Sequence, residues 1–204
     1  MPIRSSASAF AAGAACGIAA LVLACGHLRS SPEPFADAAC GTPPTSRILA
    51  ENAGERRVRR PPPNATVPQG LGYTVKVDCE SVGATELFLS YEDIPPGSRG
   101  IAAHRHPHMD EILIIRRGTG VVSLDGVETP VTDGGTVYIA RNTVVAVRNT
   151  GTAPLSIAFI FPHSGYGTYL REWSVPAGEA VRPLTEAENA ARRARARWLQ
   201  ILEP

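Results

Sequence analysis

From residue 73 onward the apolar positions come in short runs broken by turn residues. Runs at 73–79, 86–91, 100–106, 111–116, 120–124, 136–140, 144–148 and 155–161 read as strands. The separators include Pro95-Pro96-Gly97, Asp125-Gly126, Asp133-Gly134-Gly135 and Asn149-Thr150-Gly151. Asp125-Gly126 suits a two-residue hairpin loop, which needs positive φ at both positions. Several short strands at about ten-residue spacing predict an all-β sandwich or closed double sheet. No internal repeat is evident, so one barrel is expected. Ser164-Gly165-Tyr166-Gly167 breaks the pattern after the last strand. Thr185 and Glu188 then form a capping box, predicting a helix from Glu186 to about Ile201. Its basic residues, Arg192, Arg193, Arg195 and Arg197, are expected to face solvent or, in a minority reading, a partner or anionic lipid.

The first part of the chain follows other rules. Arg4 precedes an uncharged, Ala-rich run of 22 residues, 5–26. A positive start, an apolar middle and small residues at the end make a secretory signal. Val22-Leu23-Ala24-Cys25-Gly26 resembles a bacterial lipobox, implying cleavage after residue 24 and a lipid anchor on Cys25. Ordinary secretion and an uncleaved membrane anchor remain alternatives. The envelope is the expected location in the lipoprotein reading. Residues 25–67 are rich in Pro, Ala, Ser, Gly and Arg and read as a flexible tether. Arg59-Arg60-Pro61-Pro62-Pro63 excludes helix and central strand, and a short helix at 46–52 is allowed. Cys16 and Cys25 fall in the signal; Cys40 and Cys79 either pair in an oxidising compartment or stay free.

Charge changes the picture by exclusion. The chain has 204 residues, 20 basic and 19 acidic, with 44% hydrophobic residues. A flat balance argues against nucleic acid as a partner, because phosphate neutralisation needs a basic excess. Lys76 is the only lysine, so every other basic residue is arginine.

The chemistry-bearing stretch is His104-Arg105-His106-Pro107-His108-Met109-Asp110-Glu111. His104 and His106 are two apart, a spacing that puts both side chains on one face of a strand. Glu111 opens the next strand and can face them across the ladder. Two imidazoles and a carboxylate suit a divalent transition metal such as Fe, Mn, Ni, Cu or Zn, with positions left for water or substrate. If Glu111 points inward, so do Leu113 and Ile115; if Val145 does, so does Val147. The expected lining is therefore mainly aliphatic, with Arg105 and Arg116 on the opposite parity and Arg117 near the rim. That composition favours a small, partly apolar organic molecule over a sugar nucleotide.

His104-x-His106-x4-Glu111-x6-Gly118, with Pro96-Gly97 upstream, resembles the first motif of the cupins. The resemblance implies a cupin-type jelly-roll β-barrel with the metal at its centre, here followed by a C-terminal helix. Fifteen residues separate Gly118 from Gly134, as in compact microbial members. The second motif departs from the pattern. Gly134 and Asn149 fit, but Ala140 replaces a Pro, Asn142 a Gly, and Val145 the His that is the remaining metal ligand. The metal inference therefore carries over to His104, His106 and Glu111 alone. His108 or His163 could supply a substitute ligand, although Pro107 is expected to turn His108 outward.

The expected organisation is a signal at 1–24, a tether at 25–67, a barrel at 68–163 and an extension at 164–204. Three functions compete. The first is a metal-dependent oxygenase or isomerase acting on a small molecule in the envelope. The second is a non-catalytic ligand-binding barrel that has lost its metal. The third is an interaction protein working through the Arg-rich helix. Monomer and homodimer are both open, the latter through sheet faces.

Overall fold

The computed structural model describes residues 40–63, 72–98, 100–195 and 200–201. The signal, Cys16, Cys25, Arg197 and the tether residues 25–39 and 64–67 lie outside them. Among the described residues, no helix is long and apolar enough to cross a membrane.

The elements in chain order are β1 (Glu55–Arg59), β2 (Gly72–Val77), α1 (Cys79–Val82), β3 (Phe88–Ile94), β4 (Ile101–Arg105), β5 (Glu111–Arg117), β6 (Gly120–Leu124), β7 (Val127–Val131), β8 (Thr136–Ile139), β9 (Val145–Asn149), β10 (Leu155–Phe161), α2 (Gly165–Glu172), β11 (Ser174–Pro176), α3 (Glu186–Arg195) and β12 (Gln200–Ile201). They form two antiparallel sheets. One has seven strands in the order β11-β1-β2-β3-β10-β5-β8, the other five in the order β12-β4-β9-β6-β7. The all-β jelly-roll expected from the sequence is the observed fold, with α3 near the C-terminus.

The core lies between the sheets. Period-two alternation places Phe88 and Ile94 of β3, Leu113 and Ile115 of β5, and Val145 and Val147 of β9 in it. Each such side chain contributes about 1.5–3 kcal/mol of burial. The central strand β10 is buried on both faces: Arg116 covers its outer side, donating to Ser156 Oγ at 3.0 Å and stacking on the Tyr91 ring at 3.7 Å.

Turn chemistry explains the joints. Asp125 and Gly126 have φ of 48° and 85° and close the β6–β7 hairpin, in which Leu124 pairs with Val127. Strand β7 escaped the sequence pattern because it is exposed and contains Pro130, which is tolerated at this sheet edge. Asn142 takes the left-handed φ of 68° that its place in the second motif required, and its N–H donates to the His106 carbonyl at 2.8 Å.

Residues 40–63 differ from the expected tether. Cys40 and Cys79 form a disulfide. Strand β1 lies inside the seven-stranded sheet, paired with β2 and β11. Its alternation is hidden because the face it shares with the buried Tyr73 and Val75 carries Glu55 and Arg57, with Arg59 next on the same parity. The prolines at 61–63 follow this strand rather than prevent it. No helix forms at 46–52, and the carbonyls of Ala50, Glu51 and Ala53 accept from the buried Lys76 ammonium. The capping box at Thr185 is reciprocal, the described helix covers Glu186–Arg195, and residues 200–201 are strand paired with β4 rather than helix.

The expected pattern break at residues 164–167 is instead the start of helix α2. A side chain at Gly167 would collide with the Asp78 carboxylate, so only glycine lets the helix settle there. The helix delivers Arg171 to Glu55 and Asp78, which it joins by hydrogen bonds. Burial lifts the Glu55 carboxyl, but bonds and charges from Arg171 and Arg57 outweigh it, and the net direction is down. The native state thus binds this proton more weakly than the unfolded chain. Stability from Glu55 is full above the ordinary carboxylate range and lost as pH falls through the lowered value. Urea titrations from pH 7 to 3 should show a flat midpoint down to about pH 5 and a decline below it. Arg171→Met should cost about 3 kcal/mol at pH 7, since it strands the buried Asp78 carboxylate, and should flatten the acid decline.

Candidate metal centre

His104 lies near the end of β4, His106 just beyond it, and Glu111 opens β5. A register slip separates the pairs Ile101–Val147 and His104–Val145 on the β4–β9 ladder. Such a bulge re-aims side chains, and here Ile101 and His104 both line one cavity although they are three apart. His106 keeps the parity of His104 and is buried.

One ligand atom from each of His104, His106 and Glu111 lies within 4.8 Å of the other two. His106 Nε2 is 3.3 Å from Glu111 Oε2, and the imidazole rings stand perpendicular at 5.0 Å. His104 Nδ1 sits 2.8 Å from the Ala102 carbonyl. A carbonyl only accepts, so Nδ1 carries the ring proton and Nε2 keeps its lone pair for a metal. Burial and the neighbouring His106 push the His104 imidazole below its ordinary pKa, which keeps it neutral at physiological pH. Glu111 Oε2 is buried and accepts no hydrogen bond. A buried carboxylate oxygen in that state fits a cation's place. The donor set fits a divalent transition metal.

Val145 occupies the cavity wall opposite His104, so this side carries no protein ligand. His108 is exposed and outside the cluster: the chain turns at Pro107, and Met109 takes the buried position. His163 is not in the cluster either. Leu113, Val145 and Val147 line the cavity as parity predicts, whereas Arg117 pairs with Glu51 away from it.

The lining is more polar and more aromatic than expected. Arg59 of β1 grips Glu92 of β3 with two bonds of 2.6 and 2.5 Å, and both line the cavity. Phe161 packs on His106 at 4.8 Å, and Tyr166 of α2 packs on Phe161 at 4.3 Å. Burial, then Tyr169 and Glu111, raise the Tyr166 phenol well above its ordinary pKa. Sequence reasoning missed Arg59 and Tyr166 because β1 and α2 were not recognised, and Glu92 because the run read as β3 stopped at residue 91. The cavity beside the triad measures about 40 Å³ and an outer one beside it about 260 Å³, the two sharing Arg59, Ile101, His104 and Tyr166 as lining residues.

Residues 90–161 match the family model of the cupin domain. The triad and the β9 position of Val145 fall inside that matched stretch; β1, α2 and α3 lie outside it. The chain is 30% identical over 79 residues to the tetracenomycin polyketide synthase protein TcmJ of Streptomyces glaucescens, covering 39% of this chain and 52% of that one. It is 32% identical over 79 residues to protein SchB of Streptomyces halstedii, covering 39% and 56%. The chain thus spans about half the length of these curated relatives. Among solved structures, the polyketide cyclase RemF from Streptomyces resistomycificus is similar with a TM-score of 0.49 and 14% identity, over 58% of this chain and 80% of that one.

Restoring a ligand on the Val145 side should tighten metal binding. Val145→His should lower the Kd for Zn at least tenfold in chelator competition, about 1.4 kcal/mol, while His108→Ala leaves it unchanged. Equal affinities for Val145→His and the parent protein would mean that the vacant side is elsewhere.

Proposed function

We propose that this chain is an envelope protein whose cupin-type barrel holds one divalent transition metal on His104, His106 and Glu111 and acts on a small organic molecule. The observation that carries the reading is the convergence of three buried or half-buried donors within 4.8 Å, with Glu111 Oε2 left without a hydrogen bond. The metal, when bound, supplies Lewis-acid or dioxygen chemistry at an oxygen of the ligand. Phe161 and Tyr166 wall the site and exclude water. Tyr166 keeps its proton and is a hydrogen-bond donor beside the triad. Arg59 remains charged and locked to Glu92, fixing the floor. Likeness to a polyketide synthase protein makes carbonyl-rich organic compounds the first substrates to screen.

The Cys40–Cys79 disulfide supports an oxidising compartment. A lipid anchor on Cys25 remains part of the proposal. The Val145 replacement favours a second reading, a barrel that binds its ligand without turnover.

Elemental analysis of the full chain, purified without a histidine tag, tests the metal. About one equivalent of a transition metal is expected, lost in Glu111→Ala. A folded protein that contains none and takes up none from Fe, Mn, Ni, Cu or Zn would overturn the metal reading.

A further inference from the structure

The outer cavity is built largely by segments outside the cupin match. Arg59, Arg60 and Pro62 come from β1 and the chain just after it, Trp173 from the end of α2, and Arg192 from α3. Three arginines line it and no aspartate or glutamate does, among the described residues. Two of the three are already engaged: Arg59 by Glu92, and Arg60 by Glu188 at 2.6 Å. Arg192 is not neutralised in this way. It donates to Asn189 Oδ1 at 3.0 Å, meets the Tyr169 phenol and lies 5.3 Å from the Trp173 ring, all uncharged. The helix face expected to be solvated therefore turns one arginine onto the mouth of the barrel.

A second observation points the same way. Arg59 Nε, Arg192 Nε and Trp173 Nε1 are all buried and make no hydrogen bond. Buried donors of this kind need an acceptor, and all three belong to residues lining one cavity. The rest of the wall is apolar or aromatic, including Ile101 and Tyr166. Donor-rich, acceptor-poor walls with flat rings select a planar anion. A phosphate-rich ligand suits them less, because Glu92 and Glu188 already occupy two of the arginines.

We propose that the outer cavity is a carboxylate-recognition vestibule, in which Arg192 and Trp173 seat the carboxylate of a small aromatic acid. The three nitrogens are not open to solvent, so seating the carboxylate requires a rotation of the Arg192 side chain. The far end of the ligand faces His104, which both cavities share. The proposal rests on the metal reading only for that direction.

Benzoate and its neutral counterpart benzamide serve as probes, with the full chain, Arg192→Gln and Glu111→Ala, followed by calorimetry and thermal shift. Saturable benzoate binding is expected, at least tenfold weaker in Arg192→Gln, with benzamide not bound at the same concentrations. Circular dichroism of Arg192→Gln should be unchanged, since this side chain sits on an otherwise exposed helix. Binding that persists in metal-free Glu111→Ala upholds the vestibule even if the metal reading fails. Equal binding of benzoate and benzamide, or none of either, overturns the vestibule while leaving the metal reading intact. Benzoate affinity that survives Arg192→Gln but is lost in Glu111→Ala assigns the anion to the triad and also overturns it.

Discussion

The Arg59–Glu92 pair ties the N-terminal strand to the centre of the barrel, and much of the site hangs on it. Glu92 sits at an inward position of β3, where an unpaired carboxylate would be costly, and Arg59 meets it with both terminal nitrogens. Arg59 in turn lies 5.5 Å from both the Tyr73 and Trp173 rings. One guanidinium therefore fixes β1 in the sheet, forms the cavity floor beside the triad and holds the indole at the mouth. Replacing either partner with an apolar residue would leave the other charge stranded, the costly way to break such a pair.

Around this pair the chain divides its labour. Residues 90–161, the stretch that matches the cupin model, provide the three candidate ligands and the aliphatic wall. Segments before and after it provide the three arginines, Tyr166 and Trp173. An almost continuous series of rings runs from His106 through Phe161, Tyr166 and Tyr169 to Trp173, with successive centroids 4.3–5.7 Å apart. The inner half of the cavity resembles what the motif implies; the outer half is lined mostly by residues outside the matched stretch.

That division also decides what was legible in the sequence. The triad could be read because two-residue spacing on a strand and the start of the next strand fix which face each ligand takes. The Asp125-Gly126 hairpin could be read because positive φ at both positions leaves few residue choices. Strand β1 could not, since its buried face carries Glu55, Arg57 and Arg59, whose partners Ser174, Arg171 and Glu92 lie far away in sequence. Helix α2 was hidden by Gly165 and Gly167, which weaken the helical signal, and Gly167 is present for contact with Asp78 rather than for a turn. Arg192 looked like one more solvated charge until the fold laid α3 beside Trp173.

The narrowness of the inner cavity has a consequence for selectivity. About 40 Å³ beside the triad holds little more than one water-sized group. A ring cannot enter it, but an oxygen at the tip of a slim substituent can. For a ligand bound as proposed, the barrel works as a depth gauge, admitting the molecule by one end and stopping its bulk at a set distance. Which atom of a multifunctional compound reaches the triad is then settled by shape, before any difference in reactivity among its groups comes into play.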